Sequence, residues 1–249
     1  MSEPLRIAVT DPIISAFADE LQRTARPHEW TFADPDVPGS ARAAIEGADV
    51  VVCSRLTADD MAGAARVRLV HVTGAGVDRV DAGAVPAGVP LCNTGHHGPA
   101  IAEHVLMTAL MLRRRAIDVD AQMRRGEWRT VATAPGTAYH HSLAGSTLGL
   151  IGYGEIGRSV AHLAKAFGMR VIAMRRHPDA AGPGSELLDH VYGEDQLYPL
   201  LGESDVVVIT APLTESTRGL IDADALARLH PDALIINVAR GAIIDEDAL

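Results

Sequence analysis

The sequence has a single lysine in 249 residues, Lys165, and that scarcity removes several chemistries. A Gly-Lys-Ser/Thr phosphate loop is excluded, and little room is left for Schiff-base catalysis. Lys165 itself falls on a helix, where a solvent-facing side chain is expected. The longest basic run is Arg113-Arg114-Arg115 and the net charge is −10, so no basic face for nucleic-acid phosphates is expected. Aromatic residues make up only 4%, which argues against base-stacking platforms. There are two cysteines, Cys53 and Cys92, in the strand-like runs VVVCS and VPLCN. Both are expected to be buried core thiols in a reducing compartment, not a disulfide. The longest apolar helix, about Ile101 to Leu112, is too short to span a bilayer. Met1 to Thr10 lacks a basic region followed by a long apolar one, so no signal peptide is expected. The expectation is a soluble, cytoplasmic protein without a membrane or nucleic-acid partner.

What is present is ample apolar material, 47% of residues, enough for one large or two modest domains. From Leu5 to about Asn93, short apolar runs at Leu5–Val9, Val50–Cys53, Leu69–Val72 and Val89–Cys92 have parallel-strand character. Helical segments such as Ile14–Thr24 and Ala41–Gly47 separate them. Gly98-Pro99 then opens a helix, Ala100–Leu112, apolar on nearly all sides and expected to be buried between domains or subunits. Thr130 to Ser142 has no periodicity and reads as a loop or arm. A second series of strands follows at Thr147–Ile151, Arg170–Met174, His190–Tyr192, Val206–Thr210 and Leu234–Val238. The fold expected is α/β, with two doubly wound parallel-sheet domains over 1–97 and 98–249. The second is a Rossmann dinucleotide-binding domain lacking its last strand.

The segment TLGLIGYGEIG carries a buried strand straight into Gly152-Tyr153-Gly154-Glu155-Ile156-Gly157. Such a motif alone is weak. Here an amphipathic helix follows, with Ile156, Val160, Leu163, Ala164 and Phe167 on one face and Gly168 as its cap, and then another strand. Gly152 permits the tight turn, Gly154 lets backbone approach a pyrophosphate, and Gly157 lets helix and strand pack closely. The helix N-terminus stabilises the phosphate charge.

The end of the next strand selects the cofactor. An NAD site places an acid there; this chain has Met174-Arg175-Arg176. A guanidinium suits a 2′-phosphate, so NADP is expected first and NAD second. The alternative is that both arginines face solvent. The missing acid also speaks against an S-adenosylmethionine-dependent methyltransferase. Two other strand ends are informative. Ala211-Pro212-Leu213-Thr214 forms an apolar lip suited to a flat ring. Arg240, following Ala239, either holds a substrate carboxylate or pairs structurally with Asp245 or Glu246.

Taken together, these segments resemble the D-isomer-specific 2-hydroxyacid dehydrogenases nearly end to end. The resemblance rests on HVTGAGVDRVD (71–81), IAEHVL (101–106), LGLIGYGEIGRSVA (148–161), APLTESTRGLI (211–221) and INVARGAIIDEDAL (236–249). It implies hydride transfer between NAD(P)(H) and a small 2-oxo acid, with glyoxylate and hydroxypyruvate as typical substrates. Backbone N–H groups of Gly74, Ala75 and Gly76 would hold the substrate carboxylate. Arg240 would be the catalytic arginine, Pro212 and Thr217 would line the nicotinamide side with Ala211 and Ala239 beside them, and the protein would be a homodimer. A non-catalytic nucleotide-binding regulator or corepressor of the same fold is the competing reading.

Two departures from the family pattern matter. Arg175 stands where many members carry the NAD-selecting aspartate. The loop Gly95-His96-His97-Gly98 is unusual, and His96 and His97 either touch an anionic substrate tail or are simply loop residues near the hinge. His140-His141 is a second pair; neither has a third ligand at metal spacing, so no metal is expected. The resemblance also implies a Glu–His proton-donor pair after the NVARG strand. The sequence ends at Leu249, so the expectation is a C-terminally truncated form without useful turnover of its own.

Overall fold

The computed structural model describes residues 3–23, 27–34, 37–134, 136, 141–180 and 182–249. It divides into two units, Met1–His96 and His97–Leu249, each built on its own parallel sheet.

In the first unit the strands are β1 (Arg6–Val9), β2 (Glu29–Phe32), β3 (Val50–Cys53), β4 (Leu69–Val72) and β5 (Leu91–Asn93). All pair in parallel, in the order β2-β1-β3-β4-β5. That order reverses between β1 and β3 and opens a crevice at their carboxyl ends. Helices α1 (Pro12–Ser15), α2 (Ala18–Gln22) and α3 (Ser40–Ile45) belong to the connections. Val51, Cys53, Val70 and Val72 are buried with Ala44, Ile45 and Leu56 in one core.

Three local expectations are corrected in this unit. No strand is expected at Glu29–Phe32, yet β2 forms there. It is an edge strand whose Glu-Trp-Thr-Phe alternation, with exposed and half-buried residues in turn, gives no continuous apolar run. The helix expected over Ile14–Thr24 is two short helices, and Thr24 lies outside the described residues. The Asp11 carboxylate caps the first by accepting from the Ile13 N–H at 2.8 Å, and Phe17 leaves helical geometry at φ −106°, ψ 22°. Cys53 is fully buried, but Cys92 is exposed. β5 is an edge strand, and Cys92 points to the face opposite its half-buried neighbour Leu91. Burial, with the nearby charges of Asp11 and Asp60, pushes the Cys53 thiol up to about 11.

The second unit begins with α4 (Gly98–Arg113) and α5 (Ala116–Arg124). Its sheet contains β6 (Thr147–Ile151), β7 (Arg170–Met174), β8 (His190–Tyr192), β9 (Val206–Ile209) and β10 (Leu234–Asn237). Their order is β10-β9-β6-β7-β8, all parallel, which is five strands of a Rossmann sheet. Helices α6 (Glu155–Ala166), α7 (Leu197–Glu203) and α8 (Ala223–Leu226) complete it. β9 reads Val-Val-Val-Ile and every residue is buried, as a central parallel strand requires.

α4 buries Ala102, Val105, Leu106 and Ala109 in the same core as Val160, Ala161 and Ala164 of α6. Its opposite side leaves Met107, Met111 and Leu112 exposed. Arg113 anchors the end of α4 through Nη1 to the Asp232 carbonyl at 3.0 Å and Nη2 to the Asp205 carbonyl at 2.9 Å. α6 ends in the expected cap: Gly168 has φ +74°, Met169 N–H reaches the Ala164 carbonyl at 3.1 Å and Gly168 N–H reaches Lys165 at 2.9 Å. Phe167, expected on the buried face, is exposed instead, because it is the C-cap residue beyond the stripe Val160, Ala161 and Ala164. Lys165 does not simply face solvent; its ammonium pairs with Asp189 at 2.5 Å and holds that carboxyl below its ordinary range. Among the described residues no helix is long and apolar enough to cross a membrane.

Candidate functional site

The carboxyl ends of β6, β7 and β9 surround a cleft of about 250 Å³ in the second unit. Its floor is the turn after β6. Gly152 has φ +95°, and a Cβ there would lie 2.7 Å from the Ala211 nitrogen, so only glycine fits. The Thr210 hydroxyl donates to the Gly152 carbonyl at 2.8 Å and ties the exits of β6 and β9 together.

Gly154 has the opposite surroundings. A Cβ on it would meet nothing within 4 Å, so the space beside this backbone is open. Gly154 is also the N-cap of α6 and supplies no side-chain acceptor. The N–H groups of the first turn therefore have no intrahelical partner, and they sit at the positive end of a three-turn helix. This open cradle fits a pyrophosphate. The Tyr153 hydroxyl donates to the Gly184 carbonyl at 2.5 Å, linking the glycine turn to the segment after β7. Burial, with Glu186 nearby, raises the Tyr153 pKa and keeps that donor protonated.

Arg175, Arg176 and His177 line the same cleft from the end of β7. In a chain of net charge −10, two adjacent guanidinium groups at one strand end are a local concentration of positive charge. The two arginines differ. Arg175 Nη2 donates to the carbonyls of Pro178 at 2.8 Å and Ala180 at 2.5 Å, so its guanidinium shapes its own loop. Arg176 is exposed and makes one ion pair, with Glu194 at 3.8 Å. Glu194 also lines the cleft; no motif in the sequence marks it, because it follows a different strand.

Ala211, Pro212 and Thr217 form the opposite wall. The Thr217 hydroxyl donates to the Pro212 carbonyl at 2.7 Å and accepts from Thr214 N–H at 2.8 Å, so it folds the lip. Glu155 is exposed on the first turn of α6, and Ile156 packs partly buried against the core. Gly157 is buried beneath the turn.

Ala239 and Arg240 follow β10 and are not among the residues lining this cleft. Asn237 sets their backbone: its Oδ1 accepts from Ala239 N–H at 3.0 Å and its Nδ2 donates to the Arg240 carbonyl at 2.8 Å. Arg240 is half-buried, and its Nη1 donates to the Ala239 carbonyl at 2.9 Å. Asn237 is a positioning residue that residue type alone did not single out.

In the first unit, Gly74 and Ala75 lie in the bend that follows β4, and Gly76 comes immediately after it. The Ala75 carbonyl accepts from Asn93 Nδ2 at 2.7 Å and the Gly74 carbonyl from Thr94 N–H at 3.2 Å. Thr73, the first residue of the bend, donates its hydroxyl to the buried Asp11 carboxylate. His96 is exposed at the end of this unit. His97 is the N-cap of α4, and its carbonyl accepts from Ile101 N–H at 3.0 Å. His141 is exposed, whereas His140 lies outside the described residues.

The chain is similar to known proteins over nearly its whole length. The profile described as "D-isomer specific 2-hydroxyacid dehydrogenase, NAD binding domain" matches residues 106–249, and its "catalytic domain" counterpart matches residues 7–175. A glycerate dehydrogenase of Methylorubrum extorquens is 31% identical over 251 residues, covering 97% of this chain and 76% of that protein. An (S)-sulfolactate dehydrogenase of Chromohalobacter salexigens is 35% identical over 250 residues, covering 97% and 78%. The crystal structure of a D-isomer specific 2-hydroxyacid dehydrogenase family protein from Aeromonas salmonicida superposes with a TM-score of 0.80 at 26% identity, covering 99% of this chain and 76% of that one.

Proposed function

This chain belongs to the D-isomer specific 2-hydroxyacid dehydrogenase family, and we propose that it serves hydride transfer between NADP(H) and a small 2-oxo acid. The observation that carries the cofactor reading is the Arg175-Arg176-His177 edge of the phosphate-loop cleft, where an NAD site would carry an acid. The nicotinamide supplies the hydride when bound.

The chain's own residues bind, orient and polarise, while the carbonyl oxygen must also take up one proton as the hydride arrives. The open backbone at Gly154 and the first turn of α6 hold the pyrophosphate, Arg176 reads the 2′-phosphate, and Ala211, Pro212 and Thr217 wall the ring side. Arg240 binds the substrate carboxylate and polarises the carbonyl as negative charge develops on its oxygen. The Gly74, Ala75 and Gly76 N–H groups are the first unit's candidate for binding a substrate anion. Residues 1–97 are thus the substrate domain and residues 98–249 the cofactor domain. Glyoxylate and hydroxypyruvate are the first substrates to test. The similarity to a sulfolactate dehydrogenase adds sulfopyruvate, whose second anionic group would engage His96 and His97.

A homodimer is proposed from the exposed apolar side chains Met107, Met111, Ile117, Met123 and Trp128 on and after α4 and α5. A reducing cytoplasm suits the exposed thiol of Cys92. The test is calorimetric titration with NADPH and NADH, followed by a panel of 2-oxo acids offered to the protein. Tighter NADPH binding and turnover of one or more panel members is the expected result. Equal cofactor affinities would remove the NADP(H) reading, and no turnover of any 2-oxo acid would remove the enzymatic one.

A further inference from the structure

Parallel register carries Arg176 and Glu194 to the same place. Met174 of β7 pairs with Tyr192 of β8, and Arg175 N–H donates to the Tyr192 carbonyl at 3.0 Å. Arg176 and Glu194 are each the second residue beyond that last pair. The approach of their side chains, 3.8 Å between Nε and Oε1, therefore follows from strand pairing. The Glu194 backbone is also held. Gly193 N–H donates to Gln196 Oε1 at 3.0 Å, and Gln196 N–H returns to the Gly193 carbonyl at 3.1 Å. Both side chains are more than half exposed and both line the dinucleotide cleft. Arg175 cannot substitute for Arg176 without releasing the Pro178 and Ala180 carbonyls.

We propose that Glu194 is a specificity-determining residue that opposes Arg176 in the choice of cofactor. In the free protein its carboxylate lies 3.8 Å from Nε of the guanidinium that would read a 2′-phosphate, within reach of charge attraction though not of a hydrogen bond. It also repels that phosphate, whereas it can accept a hydrogen bond from an unmodified ribose hydroxyl. The acid absent from the end of β7 is thus supplied from the end of β8, and the cleft holds determinants for both cofactors. This inference rests on the assignment of the cleft to a nicotinamide dinucleotide and on Arg176 as the phosphate reader.

The test is the affinity of NADPH and of NADH, measured by calorimetry, for the unaltered protein, Glu194→Gln and Arg176→Ala. Glu194→Gln is isosteric and lies on the surface, so a thermal melt should be unchanged. Removing its charge is expected to raise the NADPH-to-NADH affinity ratio by about tenfold, through tighter NADPH and weaker NADH binding. The gain should shrink at high salt, because both groups are exposed. A ratio unchanged within about twofold, or a parallel shift of both affinities, overturns the proposal. The parent reading is judged separately, by whether Arg176→Ala lowers the ratio. The Glu194 proposal is judged by the direction of its own change, whichever cofactor the unaltered protein prefers.

Discussion

Gly157, in the first turn of α6, lies so close under Gly152 that a Cβ on it would stand 2.8 Å from the Gly152 carbonyl oxygen. The helix, the strand exit and the phosphate cradle are therefore set by one backbone contact. Gly157→Ala must push α6 away from β6. We expect a stability loss of about 1–3 kcal/mol together with loss of dinucleotide affinity. Gly154→Ala is the control, since its Cβ meets no protein atom and its φ of −94° is open to alanine. It should melt like the unaltered protein yet bind dinucleotide weakly, because its methyl enters the open cradle. Thermal denaturation and calorimetry on both variants check this; normal binding by Gly154→Ala would place the pyrophosphate elsewhere.

Arg175 and Arg176 should respond differently to truncation. Arg175→Ala frees the Pro178 and Ala180 carbonyls and should weaken NADPH and NADH together, with raised proteolytic sensitivity of the 177–187 segment. Arg176→Ala should weaken NADPH selectively, by about 1.5–3 kcal/mol for one lost charge-assisted contact. Limited proteolysis and paired titrations separate the two. A selective NADPH loss in Arg175→Ala would reverse the roles.

Arg240→Ala should lower kcat/KM for 2-oxo acids by several orders of magnitude while leaving NADPH affinity nearly intact. Arg240→Lys should recover little, because a single ammonium lacks the planar two-donor fork. Steady-state kinetics beside a cofactor titration give the answer, and near-normal turnover by Arg240→Ala would remove this arginine from the reaction.

The two thiols predict a pH effect and a labelling pattern. Cys92 is exposed and should react with a disulfide reagent in the native protein, whereas buried Cys53 should react only on unfolding. Burial raises the Cys53 thiol from an ordinary 9.0 to about 11, so the unfolded chain loses its proton first. The stability tied to the protonated thiol is whole below pH about 9 and is lost as pH rises toward about 11, by roughly 2–3 kcal/mol in all. Urea unfolding under reducing conditions should show this decline in the unaltered protein and a shallower one in Cys53→Ala. Identical slopes would mean that Cys53 ionises equally in both states.

Much of this molecule is legible in its sequence, and the reason is local. The strands of the second sheet announce themselves as continuous apolar runs because both faces of a parallel sheet are covered. The strand–glycine turn–helix run needs only neighbouring residues, so Gly152, Gly154 and Gly157 and the cap at Gly168 are found by inspection. Where burial is partial the pattern fades. β2 hides in the Glu-Trp-Thr-Phe alternation of an edge strand, and Cys92 looks like Cys53 although its strand has one neighbour and an open face.

Chemistry and spacing alone determined that a dinucleotide loop exists, that cations stand at the strand end beside it, and which family the chain resembles. Tertiary structure decided what each cation does. Arg175 and Arg176 are adjacent and chemically identical, but carbonyls from the following loop engage one, and the pairing of β7 with β8 sets Glu194 beside the other. Sequence spacing carries no information about either contact. Hydrogen bonding and charge act over a few ångströms of space, and only the register of the folded sheet brings residues from separate strands within that range.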